Sequence, residues 1–253
     1  MAAADGDVMN IVGWFTDPAN WSGSGGIPVQ VGYHLLYSGI ALLAALAIAV
    51  PLGIVIGYTG RGEAVVAGFA NALRALPSLG LLVLLFLIIS PVVAGKLVYI
   101  LPTIVVLVLL AVPPILTGTY AGIQSADQHA VDAARGMGFT RTQILLRVQL
   151  PCALPLLVSG VRSATLQIVS TATIAAYLGL QGLGRFILDG RATASFSEMA
   201  GGAILVALLA IVLEFTFAWI GRLIVSPGLR RAASKSASPI ETSVTTFTLE
   251  KAP

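Results

Sequence analysis

Apolar residues in this chain gather into five long runs, and polar residues are largely confined to the gaps between them. The runs extend from Tyr33 to Tyr58, Ala64 to Pro91, Leu97 to Ile123, Leu154 to Leu180 and Met199 to Val225. Each holds the roughly 20 mostly apolar residues that a helix needs to cross a bilayer. Pro77 sits inside the second run, and a break there makes two shorter segments and six spans in place of five. The pattern predicts an all-α polytopic membrane protein.

The gap between the third and fourth runs has a design of its own. From Ser125 to Pro151 it reads as a short helix, a glycine turn and a second helix entering the membrane at Pro151. Ser125 with Gln128, and Thr140 with Gln143, have the spacing of capping boxes, in which the hydroxyl takes an orphan N–H and the amide reaches back. Phe139 and Ile144 flank the second box at the spacing of a hydrophobic staple. Gly136 and Gly138 lie where the first helix should stop, because glycine accepts the positive φ of a helix C-terminus. Spacing alone leaves two readings open, a hairpin without a partner and a protrusion that another protein grips.

Composition agrees with the runs: 57% of the 253 residues are hydrophobic and 10% are charged, against about 25% charged in soluble domains. Lysine and arginine placement orients the spans. None precedes Arg61. With the N-terminus outside, the cytoplasmic segments carry Arg61, Arg135, Arg141, Arg147, Arg222, Arg230, Arg231, Lys235 and Lys251, and the opposite side only Lys96, Arg185 and Arg191. That bias puts the polar loop in the cytoplasm. It makes 1–30 an extracytoplasmic arm, 31–225 the membrane domain with its loop at 124–151, and 226–253 a flexible cytoplasmic tail rich in Ser, Thr and Ala.

The arm lacks the basic start of a signal peptide. Its Trp14, Phe15 and Trp21 suit either a segment resting at the outer interface or a disordered arm. The net charge of +3 follows the orientation bias and forms no nucleic-acid stripe. Cys152 is the only cysteine, so no intrachain disulfide can form, and His34 and His129 stand too far apart for a metal cluster. The chain has no Walker-type phosphate loop and no nucleophile–base constellation. An enzyme is therefore disfavoured, and any ATP must be hydrolysed by another chain.

Ionisable groups within spans carry a functional hypothesis by default, and here they are Arg74, Arg162 and Glu214. The arginines read more simply as snorkelling or pairing residues, with Arg162–Glu214 one such pair. A single intramembrane acid argues against a proton-coupled carrier. In the fourth span Ser159, Ser163, Gln167, Ser170, Thr173 and Tyr177 fall within a sector of roughly 120°. A polar stripe in a lipid-embedded helix should face protein or water, which leaves helix packing and a translocation path as its two readings. Pro51, Pro77 and Pro113-Pro114 interrupt other spans.

Asp132-Ala133-Ala134, the Gly138 that follows, and Val148-Gln149-Leu150-Pro151 resemble the EAA loop of ABC-importer permeases. That loop reads Glu-Ala-Ala, then glycine, then Ile-x-Leu-Pro; aspartate replaces glutamate here and valine replaces isoleucine. The resemblance implies the type I ABC importer transmembrane fold, with this segment as the coupling helix that docks into a groove on a cytoplasmic ATPase. Asp132 would offer a charged contact, Ala133 and Ala134 close approach, and Gly138 the angle between helices. Arg135, Gly136, Leu150 and Pro151 complete the loop.

Further stretches resemble the osmoprotectant branch of that family: Asn71 to Leu79 around Pro77-Ser78, Tyr120-Ala-Gly-Ile, Ala133 to Gly138, and Thr171 to Gly184. The resemblance covers Tyr33 to Val225. It implies a permease subunit, in a bacterial cytoplasmic membrane, of an ATP-driven importer for glycine betaine, carnitine, choline or proline betaine. It also implies ATPase subunits that hold ATP and Mg, a second permease subunit of the same or another sequence, and no cofactor in this chain. An extracytoplasmic binding protein would dock near Gly179, Gly182 and Gly184, although those glycines also suit a plain flexible turn. An importer of an amino acid such as methionine is the neighbouring alternative, and a self-contained secondary transporter the distant one.

Overall fold

Glycine and proline mark most helix boundaries in the computed structural model, which describes residues 10–224, the side chains of Asn71 and Arg74 excepted. The tail at 226–253 and the side chain of Arg74 therefore lie outside the described residues. The elements are α1 (Ile11–Thr16), a 3-10 turn (Pro18–Trp21), α2 (Ile27–Thr59), α3 (Glu63–Ala75), α4 (Ser78–Ile89), α5 (Leu97–Gln124), α6 (Gln128–Gly136), α7 (Arg141–Leu178), α8 (Gly184–Ala192) and α9 (Phe196–Ile224). Helix α2 opens with proline in its first turn and ends at Gly60, whose φ of 66° lets its N–H bond back to Ile56.

Helices α2, α5, α7 and α9 are long and apolar enough to cross a membrane. The second apolar run does break at Pro77. Leu76 before it is extended, as a residue preceding proline prefers. Its two halves hold 13 and 12 residues, or about 20 and 18 Å at 1.5 Å per residue. Neither spans about 30 Å of hydrocarbon alone, so the break does not add a sixth crossing. Pro51 and Pro113-Pro114, in contrast, lie inside continuous helices and interrupt nothing. Neighbouring helices tolerate the missing hydrogen bonds there.

Helix α5 is the centre of the bundle. It packs against α2 on one side and α7 on the other, with α3 and α4 also against it. The core joins Ala41, Ala45 and Ala49 of α2, Leu107, Ala111 and Ile115 of α5, and Ala164 and Ile168 of α7. Lipid is as apolar as these side chains, so close van der Waals packing, not water exclusion, holds such helices together. That explains the small residues. The α2 stripe continues through Gly53 and Gly57, and α5 crosses α7 where Gly118 meets Gly160. A Cβ on Gly160 would sit 2.5 Å from the Pro114 carbonyl oxygen. Helix α9 lies at the edge of this core, against α7 and α8; its Phe217 packs on the core, and it fully buries only Ser197, Gly201 and Gly202.

Residues of the N-terminal arm are ordered against this outer helix. Trp14 meets Phe186 edge to face, with ring centroids 5.3 Å apart, and fills the notch left by Gly201. Trp14 and Phe15 pack on a cluster of Ile27, Leu183 and Phe186.

Candidate functional site

The segment that follows α5 is a two-helix unit made of α6 and the first turns of α7. Helix α6 ends in a full C-terminal motif: Phe139 N–H bonds to the Ala134 carbonyl at 3.1 Å and Gly138 N–H to that of Arg135 at 3.0 Å. Such closure needs one left-handed residue, and Gly138 supplies it at φ 83°. Thr140 and Gln143 then form the reciprocal capping box expected of them. Phe139 and Ile144 pack with Val131 and Ala134 into a small apolar cluster, and the Arg147 guanidinium lies 5.9 Å from the Phe139 ring centre.

The first capping box does not form. Ser125 is still helical, and its hydroxyl bonds back to the Gly122 carbonyl at 2.7 Å. The cap falls on Asp127, the extended residue, whose carboxylate accepts the His129 N–H at 2.9 Å. Gln128 leans instead towards Asp132, which pairs with Arg135 at 2.8 Å. The two alanines also divide their work. Ala133 is exposed, whereas Ala134 is buried and lets α6 approach α7.

Beyond Ile144 the helix widens into a π turn, Leu145–Gln149, closed by Leu150 N–H on the Leu145 carbonyl. In regular α winding the Pro151 ring would press on the Arg147 carbonyl, and the wider turn relieves this. Arg135 and Gly136 are exposed at the end of α6, and Leu150 and Pro151 are half-buried where α7 resumes. A cleft of about 280 Å³ between Tyr58 at the end of α2 and Arg135, Arg141 and Gln149 separates loop from bundle. Met137, which the motif does not single out, is 70% exposed at the loop apex. Its only signal in the sequence is an apolar side chain between two turn glycines.

On α7, Ser159, Ser163, Ser170 and Tyr177 are exposed and Gln167 and Thr173 half-buried, while Gly160, Ala164, Ile168 and Ala172 on the other side enter the core. The polar stripe thus faces out of this chain. Ser170 and Thr173 satisfy their hydroxyls on the Leu166 and Ser170 carbonyls. Arg162 and Glu214 do pair, with Nε 2.8 Å from Oε2, and so tie α9 to α7.

At the far end of α7 the last turns tighten to 3-10 winding at Ala172–Leu178, and Gly179, Gly182 and Gly184 follow. Gly182 has φ 134°, a conformation open essentially to glycine alone. Gly179 is exposed, whereas Gly184 is buried against the Thr173 backbone. The structure therefore brings the three glycines into one turn, at the opposite end of the molecule from Asp132–Gly138.

Residues 49–231 match the family of the binding-protein-dependent transport system inner membrane component. The chain is 32% identical to the glycine betaine/carnitine/choline transport system permease protein OpuCB of Bacillus subtilis, over 79% of this chain and 89% of that one. It is 35% identical to the osmoprotectant import permease protein OsmY of Salmonella typhimurium, over 75% and 78%. Among solved structures, the inward-facing MetNI methionine ABC transporter aligns with a TM-score of 0.67 at 23% identity, over 83% of this chain and all of that one. That likeness concerns the fold, and the fold is that of a type I ABC importer transmembrane domain. The chain is a multi-pass membrane protein and belongs to the family of binding-protein-dependent transport system inner membrane components.

Proposed function

We propose that this chain is the permease subunit of an ATP-driven importer for quaternary-ammonium osmoprotectants such as glycine betaine, carnitine and choline. The observation that carries the reading is the rigid loop centred on Gly138, joined to relatives whose names specify these solutes. The loop faces the cytoplasm, where Asp132, Ala133, Arg135, Gly136 and the exposed Met137 meet a separate ATPase subunit that binds ATP and Mg. Gly138 and the Thr140 cap hold α6 fixed relative to α7, so a push on the loop is delivered to the transport helix. Leu150 and Pro151 seat that helix at the membrane. The N-terminal arm lies outside and the tail inside. An extracytoplasmic binding protein delivers solute at the Gly179–Gly184 turn.

A second permease subunit covers the polar face of α7, and the solute passes between the two. Ser170 and Thr173 bond within their own helix, but a face that also carries Ser159, Ser163, Gln167 and Tyr177 rests poorly in lipid, which supports the six residues as lining. Single cysteines at these positions in a Cys152→Ser background should react with small aqueous thiol reagents, and uniform protection would remove the assignment.

Relatives with osmoprotectant names reach 35% identity, whereas the methionine transporter shares only the fold. Competition against radiolabelled glycine betaine in cells expressing the whole complex tests the solute class. Choline and carnitine should inhibit and methionine should not; inhibition by methionine alone would favour the amino-acid alternative.

A further inference from the structure

Helix α2 buries three polar side chains a turn apart, Gln30, His34 and Ser38, on the face that continues as Ala41, Ala45 and Ala49. Burying polar groups inside a membrane bundle is costly unless they are bonded, so their partners are informative. Gln30 Oε1 accepts the Gly182 N–H at 2.6 Å, and its Nε2 donates to Gln181 Oε1. His34 Nε2 meets the Val169 carbonyl of α7 at 2.9 Å. That carbonyl lies next to the point where α7 passes from α to 3-10 winding. Where i→i+4 bonding gives way to i→i+3, one carbonyl loses its helical partner, and the imidazole takes it up. His34 Nδ1 and Ser38 Oγ have no partner among the described residues, so the ring is held by Nε2 alone. Gly182 fits against the ring, since a Cβ there would lie 3.5 Å from Nδ1.

We infer that Gln30 and His34 form a latch that ties the Gly179–Gly184 turn and the adjoining end of α7 to α2. Gln30 positions the turn itself. His34 passes any displacement of the turn to α7, and through the α2–α5–α7 core to the loop at the other end. Both are positioning residues, since neither reaches the surface that a partner would touch. The inference rests on the reading of that turn as the docking face, and the test therefore has one arm free of partners.

In that arm, Leu180→Cys in a Cys152→Ser background is labelled by a membrane-impermeant maleimide from the turn's side of the membrane. Gln30→Met keeps length but loses both bonds, and should raise the labelling rate about tenfold, the effect of losing a buried hydrogen bond. Gln30→Glu keeps the acceptor for the Gly182 N–H but loses the donor to Gln181, and should fall between wild type and Gln30→Met. Gln181→Met probes the same contact from the turn's side if Gln30→Met fails to reach the membrane. Unchanged labelling in both methionine variants overturns the latch. The second arm uses the reconstituted complex with its ATPase and binding protein. Gln30→Met should raise the half-saturating binding-protein concentration about tenfold while basal ATPase activity stays constant. His34→Phe should lower the maximal stimulated rate with half-saturation unchanged, and His34→Gln, which restores a donor, should recover it. Faster labelling with no change in half-saturation upholds the latch and removes the docking reading. Equal stimulation in His34→Phe and wild type overturns the transmitting role of His34.

Discussion

Replacing Gly138 with proline uncouples the permease from its ATPase and abolishes transport, while the membrane bundle still inserts. Gly138 sits at φ 83° and gives its N–H to the Arg135 carbonyl. Proline fixes φ near −65° and has no N–H, so both closing bonds of α6 are lost together. Loss of the two bonds costs about 2 kcal/mol, imposed on a unit whose apolar cluster contains only Val131, Ala134 and Ile144 as buried members. The loop loses its angle before the bundle loses its fold, because the core shared by α2, α5 and α7 contains none of the residues of the loop cluster. Gly138→Ala, which meets only the left-handed penalty of about 1–2 kcal/mol, should keep partial activity. Co-purification of the ATPase with solubilised permease, beside membrane abundance, reads this out. Full co-purification with Gly138→Pro would remove the coupling role.

The second large effect concerns Arg162 and Glu214. Among the described residues theirs is the one ion pair that joins two helices, and α9 has little other buried surface. Glu214→Leu leaves a guanidinium without its partner and Arg162→Leu a carboxylate, and each should destabilise the attachment of α9. The double leucine variant should regain most of that loss, because it leaves no charge without its partner. Thermal unfolding of the four proteins in detergent forms the cycle, and additive losses would mean that the pair contributes nothing of its own.

Apolar runs made four of the helices legible to within a turn at most ends, since length and hydropathy alone define a span. The exceptions are the start of α2, which lies at Ile27 and not Tyr33, and the start of α7, which extends back to Arg141 because the Thr140 cap begins a helix before the apolar run does. Local rules also located the Thr140 cap and the Gly138 turn, both settled within a few residues. The Ser125 box failed because Ser125 still holds helical geometry at the end of α5, and only the structure shows which residue leaves it first.

Polar positions in α7 gave away which face is polar but not that this face points out of the chain, which depends on the packing of α5. The latch was hidden more deeply. Gln30, His34 and Ser38 have helical spacing, yet Gln30 lies before the apolar run as read from the sequence, and its partners are about 150 residues away. Trp14 was ambiguous for the same reason. Its notch is made by Gly201, on the last helix of the chain.

Radiolabelled glycine betaine uptake, in cells lacking their own betaine transporters, tests the whole account most directly. The permease would be expressed alone, with its binding protein, and with both binding protein and ATPase. Accumulation only with the full set, and its loss on Gly138→Pro, is the result predicted here. Uptake that persists without any ATPase would contradict it and return the chain to the secondary transporters.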